Sequence, residues 1–277
     1  MAAALALAAG GAQPICAEQA LLAMLELGGE WAWGSTLALQ SLWIGEGRVE
    51  ETLALLEESF SAGLGGIHPL YVFDAGICGA FHEGARRAEE VARNALGDRY
   101  RGANGMNLWL LGVWFAAQGN PDRTETLVEE LEARVSESHS REGRMLAAAL
   151  RAHVHLARDE LESAIWILTD LQPTAPLWRY TWEFHEALAA ERIRLARALL
   201  ATGDHERALH FASLFDQPGP VTYLAYLGPS LEIRARAASA LGRTRQEREF
   251  RDRLRHLGWE TGEAPLLMKG PLLAIRP

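Results

Sequence analysis

The sequence predicts an all-α chain built from a repeated helical hairpin. Three observations carry this. Ala, Leu, Glu and Arg dominate the 277 residues, and the alternating Val, Ile and Thr runs that make strands are almost absent. The stretch 191–215, ERIRLARALLATGDHERALHFASLF, carries two apolar stripes at helical spacing on either side of a Gly-Asp break. The same arrangement recurs along the chain at intervals of 36 to 44 residues.

The hairpin at 191–215 is the clearest. Leu195, Ala196, Leu199 and Leu200 form the first stripe. Gly203 suits the left-handed backbone that ends a helix, and Asp204 suits the cap of the next. Ala208, Leu209, Phe211, Ala212 and Phe215 form the second stripe. A hairpin this short cannot bury its apolar surface alone, so it needs neighbours on either side.

From the N-terminus, Ala3, Ala4 and Leu7 precede Gly11, and Cys16, Ala20 and Ala23 follow it. Leu39, Trp43 and Ile44 lead into Gly47, with Leu53, Leu55 and Leu56 beyond. A weaker unit has its turn near Glu83, between Ala75, Gly76 and Gly79 and the run Ala88, Val91, Ala92 and Ala95. Leu108, Leu111, Gly112 and Phe115 lead into Gly119, followed by Thr124, Leu127, Val128 and Leu131. Ala148, Ala152 and His155 lead into Asp159, followed by Ala164, Ile165, Leu168 and Leu171. Ala235 and Ala238 lead into Gly242, followed by Phe250, Leu254 and Leu257. Residues 1–258 thus read as one continuous repeat domain. The bare Ala and Leu of the opening segment read as the end of a first helix whose beginning is missing: either something else packs there, or the chain is a piece of a longer protein. Breakers at Gly262, Pro265, Gly270, Pro271 and Pro277 make 259–277 a tail that docks on the last repeat.

A helix–turn–helix unit of this period resembles the tetratricopeptide repeat, most closely around Gly119 and Gly203. The resemblance covers nearly the whole chain, with longer spacings and without the consensus aromatics. It implies a right-handed α-α superhelix, a solenoid of about six to seven TPR-like hairpins. The ALLATGDHERAL segment is similar to the repeat regions of bacterial transcription regulators of the MalT/LuxR-ATPase kind. That resemblance implies a sensing or protein-interaction module of a bacterial regulatory system.

Composition narrows the function. A net charge of −9 argues against direct nucleic-acid binding. The apolar start lacks a positive n-region, and no stretch reaches the length of a membrane span, so a cytoplasmic protein with no membrane contact is expected. Two cysteines, Cys16 and Cys78, give neither a disulfide framework nor a zinc pattern, and both read as small core residues. His82-Glu83 and His185-Glu186 lack the second histidine of a zinc-protease helix, and His153 and His155 point to different sides of theirs, His155 onto the packing stripe. No nucleophile elbow or phosphate-binding loop occurs. No catalytic residue, metal or cofactor is therefore expected. The basic segment 243–255 reads as a salt-bridged outer helix face, with a phosphate or acidic-partner contact as the alternative.

In a tetratricopeptide-like superhelix the first helix of each unit lines the concave surface. Residues just off the packing stripes then form a ladder: Phe73 and Ile77, Trp109 and Val113, Ala149 and His153, Ile193 and Arg197, Glu232 and Arg236. Trp182 and His185 lie on the lead-in to the 191 unit. The expected groove therefore comprises Phe73, Trp109, Val113, His153, Trp182, His185, Arg197 and Arg236. It runs from aromatic to basic and suits a protein or peptide partner, because aromatics and arginine concentrate at binding hot spots. The alternatives are a receptor for a peptide or small molecule, and an α/α-type enzyme with its site around Trp109, His153, Trp182 and His185.

Overall fold

The computed structural model describes residues 14–46, 48, 50–52, 54–55, 58, 105–173, 187–217 and 220–257. Among these residues the chain is helical, with no strand. The helices are α1 (Pro14–Glu26), α2 (Gly29–Gly45), α3 (Gly105–Ala117), α4 (Pro121–Ser138), α5 (Arg141–Ala157), α6 (Leu161–Asp170), α7 (Ala189–Ala201), α8 (His205–Ser213), α9 (Leu227–Ala240) and α10 (Thr244–His256). Short 3-10 turns at Leu214–Asp216 and Val221–Tyr226 connect α8 to α9.

Four of the expected turns fall among the described residues, and the backbone reverses at each; those at Gly11, Gly47 and Glu83 lie outside them. Gly119, Gly203 and Gly242 all adopt positive φ, and Asp159 adopts the same left-handed conformation without being glycine. The next helix then starts on a side-chain cap in two of these places: Asn120 accepts from the Arg123 amide and Asp204 from the Arg207 amide. Helices pair as α3–α4, α5–α6, α7–α8 and α9–α10, and each pair packs on the next. The stripes converge on one continuous core, with Leu108, Leu131, Leu150, Ala164, Leu195, Ala196, Ala208 and Phe215 almost fully buried. Gly112 lets α3 approach α5 closely, since a Cβ there would lie 2.6 Å from Leu150 Cδ2.

Asp216 clamps the C-terminal pair. Its carboxylate accepts from Arg234 at 2.6 and 3.1 Å and from Arg253 at 2.7 and 3.3 Å. Leu254 and Leu257 pack against Leu227 and Leu231, while Arg245, Arg251 and Arg255 form ion pairs along the outer side of α10. The expected outer face is present, and Arg253, which lies off that face, turns to Asp216.

Two departures appear near the N-terminus. The α1 stripe is shifted by one position: Ala17 and Leu21 are buried, whereas Cys16, Ala20 and Ala23 are exposed. Cys16 is therefore a surface thiol and not a core residue. In an Ala-rich helix either face is apolar enough to pack, so periodicity fixes the phase poorly. In addition, α2 packs along the Val221–Tyr226 turn and touches α9. A nearest-neighbour stack has no such contact. The approach is close enough that a Cβ on Gly45 would lie 2.2 Å from the Leu224 carbonyl oxygen.

Candidate functional site

Helix α7 is buried on every side from Ala189 to Leu200, although Glu191, Arg192, Arg194 and Arg197 lie on it. A helix surrounded by protein is ordinarily apolar all round, because burying an unpaired charge is costly. The charged residues on α7 therefore mark the site.

Glu191 joins three pairs. Its Oε1 accepts from Trp109 Nε1 on α3 at 2.9 Å and lies 3.0 Å from His153 Nε2 on α5. Trp109, His153 and Glu191 are each at most 2 % exposed. Burial pushes the Glu191 carboxyl up, but the His153 and Trp109 hydrogen bonds outweigh it and hold the group below its ordinary value. Burial, aided by the Arg194 charge, holds the His153 imidazole below its ordinary value, so it is neutral. A carboxylate oxygen only accepts, so the neutral ring carries its proton on Nε2 and donates to Glu191. Glu191 Oε2 and His153 Nδ1 are left as buried acceptors without a donor.

The entrance to α7 is constrained. Leu188 sits in the left-handed region at φ 54°, a costly conformation for a leucine. The Tyr223 hydroxyl donates to the Ala187 carbonyl at 2.9 Å beside it. Burial pushes the Tyr223 phenol up to about 12, so it remains a donor.

The arginines are the other half of the site. Arg192 lies over the Phe211 ring, 5.7 Å from its centroid. Arg194 and Arg197, three residues apart, share a face of α7. Arg197 is 7 % exposed, and its Nε has no hydrogen-bond partner. Burial and the neighbouring Arg194 charge lower Arg197 to about 9, so it stays charged at neutral pH. The carboxylates near it are committed elsewhere: Glu191 to Trp109 and His153, and Glu232 to Arg236 at 2.5 Å.

Of the residues expected in the groove, Trp109 and His153 meet at Glu191 on α7, and Arg197 lies further along the same helix. Val113 is fully buried in the main core. Arg236 is on the surface, paired with Glu232. Phe73, Trp182 and His185 lie outside the described residues, as do Cys78, the unit near Glu83 and the tail 259–277. The expected roles of the two α5 histidines are reversed in burial. His153 is fully buried where it meets Glu191 of α7, while His155 is partly exposed beside Glu160. Glu191, which ties these helices together, is absent from the expected groove. Its place near a helix start is equally that of an ordinary first-turn acid. Among the described residues no group of three or more His, Cys, Asp or Glu is placed to hold a metal, and no helix is long and apolar enough to cross a membrane.

No protein family, curated protein or solved structure matches the chain.

Proposed function

We propose that the chain is a non-catalytic binding scaffold, a sensing or protein-interaction module of a bacterial regulatory system, and that its inner face takes an anionic group of its ligand or partner. The observation that carries this is Arg197: a guanidinium almost fully buried, charged, beside a second arginine, and with its Nε lacking a hydrogen-bond acceptor. A charge in that position destabilises the free protein unless something neutralises it. A carboxylate or phosphate group fits, since arginine grips either with two parallel hydrogen bonds. The enzyme reading has less behind it, because the His153 Nε2 proton is engaged by Glu191 in a fully buried position.

The regulatory assignment is supported by the resemblance of residues 198–209 to regulator repeats, and the superhelical arrangement by the four left-handed turns and the chain-order packing of the helix pairs. The test is a tryptophan-fluorescence titration with three probes: inorganic phosphate, citrate and a hexaglutamate peptide. Trp109 is hydrogen-bonded to Glu191 on the helix that carries Arg197, so an anion bound at Arg197 is expected to alter its emission. We expect a saturable change with at least one probe, absent in Arg197→Met. A response to the peptide alone identifies a protein partner, and a response to citrate or phosphate a small-molecule ligand. A flat response to all three contradicts the proposal.

A further inference from the structure

A second surface lies on the other side of the α6–α7 contact, and it does not depend on the anion-binding reading. Trp166, on α6, is 75 % exposed. A single exposed apolar residue needs no explanation. Trp166, however, overhangs an open groove of about 530 Å³ between α6 and the α7–α8 turn, floored by Ile165 and Leu199. Glu162, Trp166 and Asp170 recur every fourth residue, so they form one row about 12 Å long on one face of α6. Both carboxylates are exposed, and neither forms an ion pair with a described residue. By contrast, Arg207 at the far wall of the groove is held by Asp204 at 3.4 Å and by Thr169 at 3.0 Å. The groove therefore presents an indole face between two uncompensated negative charges, on a chain of net charge −9.

We propose that this groove docks a cationic segment of a partner protein, with an arginine or lysine side chain lying across the Trp166 indole between Glu162 and Asp170. The ring face attracts a cation, and the flanking carboxylates complement its charge and steer its approach. The apolar floor accepts the aliphatic stem of the same side chain.

The test uses the full chain labelled with 5-fluorotryptophan. Its Trp166 fluorine resonance is assigned by comparison with Trp166→Phe. The probe is a hexa-arginine peptide, with hexaglutamate as the control. Hexa-arginine is expected to shift the Trp166 resonance saturably, and hexaglutamate to leave it in place. The double variant Glu162→Gln/Asp170→Asn should weaken the hexa-arginine affinity by about fivefold to tenfold, as two surface charge contacts would. Arg197→Met should leave it unchanged, which separates this site from the inner face. The proposal is overturned if Trp166 does not respond, if both peptides shift it alike, or if the double variant binds as tightly as the parent. It is equally overturned if sedimentation shows that a second copy of the chain covers Trp166.

Discussion

At the scale of single residues, one carboxylate inside the protein, that of Glu191, accepts two hydrogen bonds. Replacing Glu191 with alanine leaves the Trp109 Nε1–H and the His153 ring without their acceptor, and unsatisfied buried groups cost about 1–3 kcal/mol each. Glu191→Ala is therefore expected to lose about 3 kcal/mol in urea unfolding. The same cluster sets a pH dependence. The folded chain holds His153 neutral, whereas in the unfolded chain it takes a proton near the ordinary value of 6.5. Below that pH the unfolded state binds more protons, so stability falls as pH falls. Glu191, held below its ordinary 4.5, adds a further loss under that value. The check is urea unfolding from pH 8 to pH 5 on the parent and on His153→Gln, whose amide still donates to Glu191 but does not titrate. The parent should lose stability more steeply than the variant below pH 6.5. Parallel curves would mean that His153 is not held neutral.

At the scale of helices, close approaches decide which substitutions are tolerated. An alanine usually improves a glycine inside a helix by about 1 kcal/mol. At Gly112 the new methyl would meet Leu150, itself fully buried and unable to swing away, and overpacking costs about 1–3 kcal/mol. Gly112→Ala should therefore destabilise by about 1–2 kcal/mol. Gly105→Ala should be neutral or slightly stabilising, because its nearest contacts are ordinary ones at 3.5 and 3.7 Å. Equal effects of the two in thermal or urea unfolding would remove the α3–α5 contact from the account.

Much of this scale was legible in the sequence. The stripes around Gly119, Asp159, Gly203 and Gly242 are buried or half-buried as read, with His155 exchanged for His153, since helical periodicity reports directly which face leaves water. The site was legible only in part. Periodicity separates packed from solvent-facing sides, and α7 has no solvent-facing side. Arg197 reads as lying off the stripe, a distinction that an all-round buried helix does not display, and the partnership of Glu191 with Trp109, 82 positions away, leaves no local trace. The burial of α2 did leave one: residues 31–45 contain no charged residue, and a helix without a charged face is a buried helix. Trp166 adjoins a stripe residue and reads like any other core aromatic until its exposure is seen.

At the scale of the whole molecule, the packing of α2 on the Val221–Tyr226 turn ties an early helix to the last pairs. Gly45→Ala sets a methyl against the Leu224 backbone carbonyl, which cannot rotate away as a side chain does. The expected result is local release: faster amide exchange in α1, α2 and residues 221–226, with α5 to α8 still protected. Uniform loss of protection would show instead that the described helices unfold as one unit.

The central claim is that Arg197 is charged and buried for the sake of a ligand. Urea unfolding of the parent and of Arg197→Met, in buffer alone and in citrate at matched ionic strength, tests it most directly. Replacing an uncompensated buried charge with an apolar side chain of similar length relieves the free protein, so Arg197→Met should be about 1 kcal/mol more stable than the parent in buffer. Citrate should stabilise the parent and leave the variant unmoved. A variant less stable than the parent in buffer, with citrate acting equally on both, would show that Arg197 serves the fold and would contradict the account.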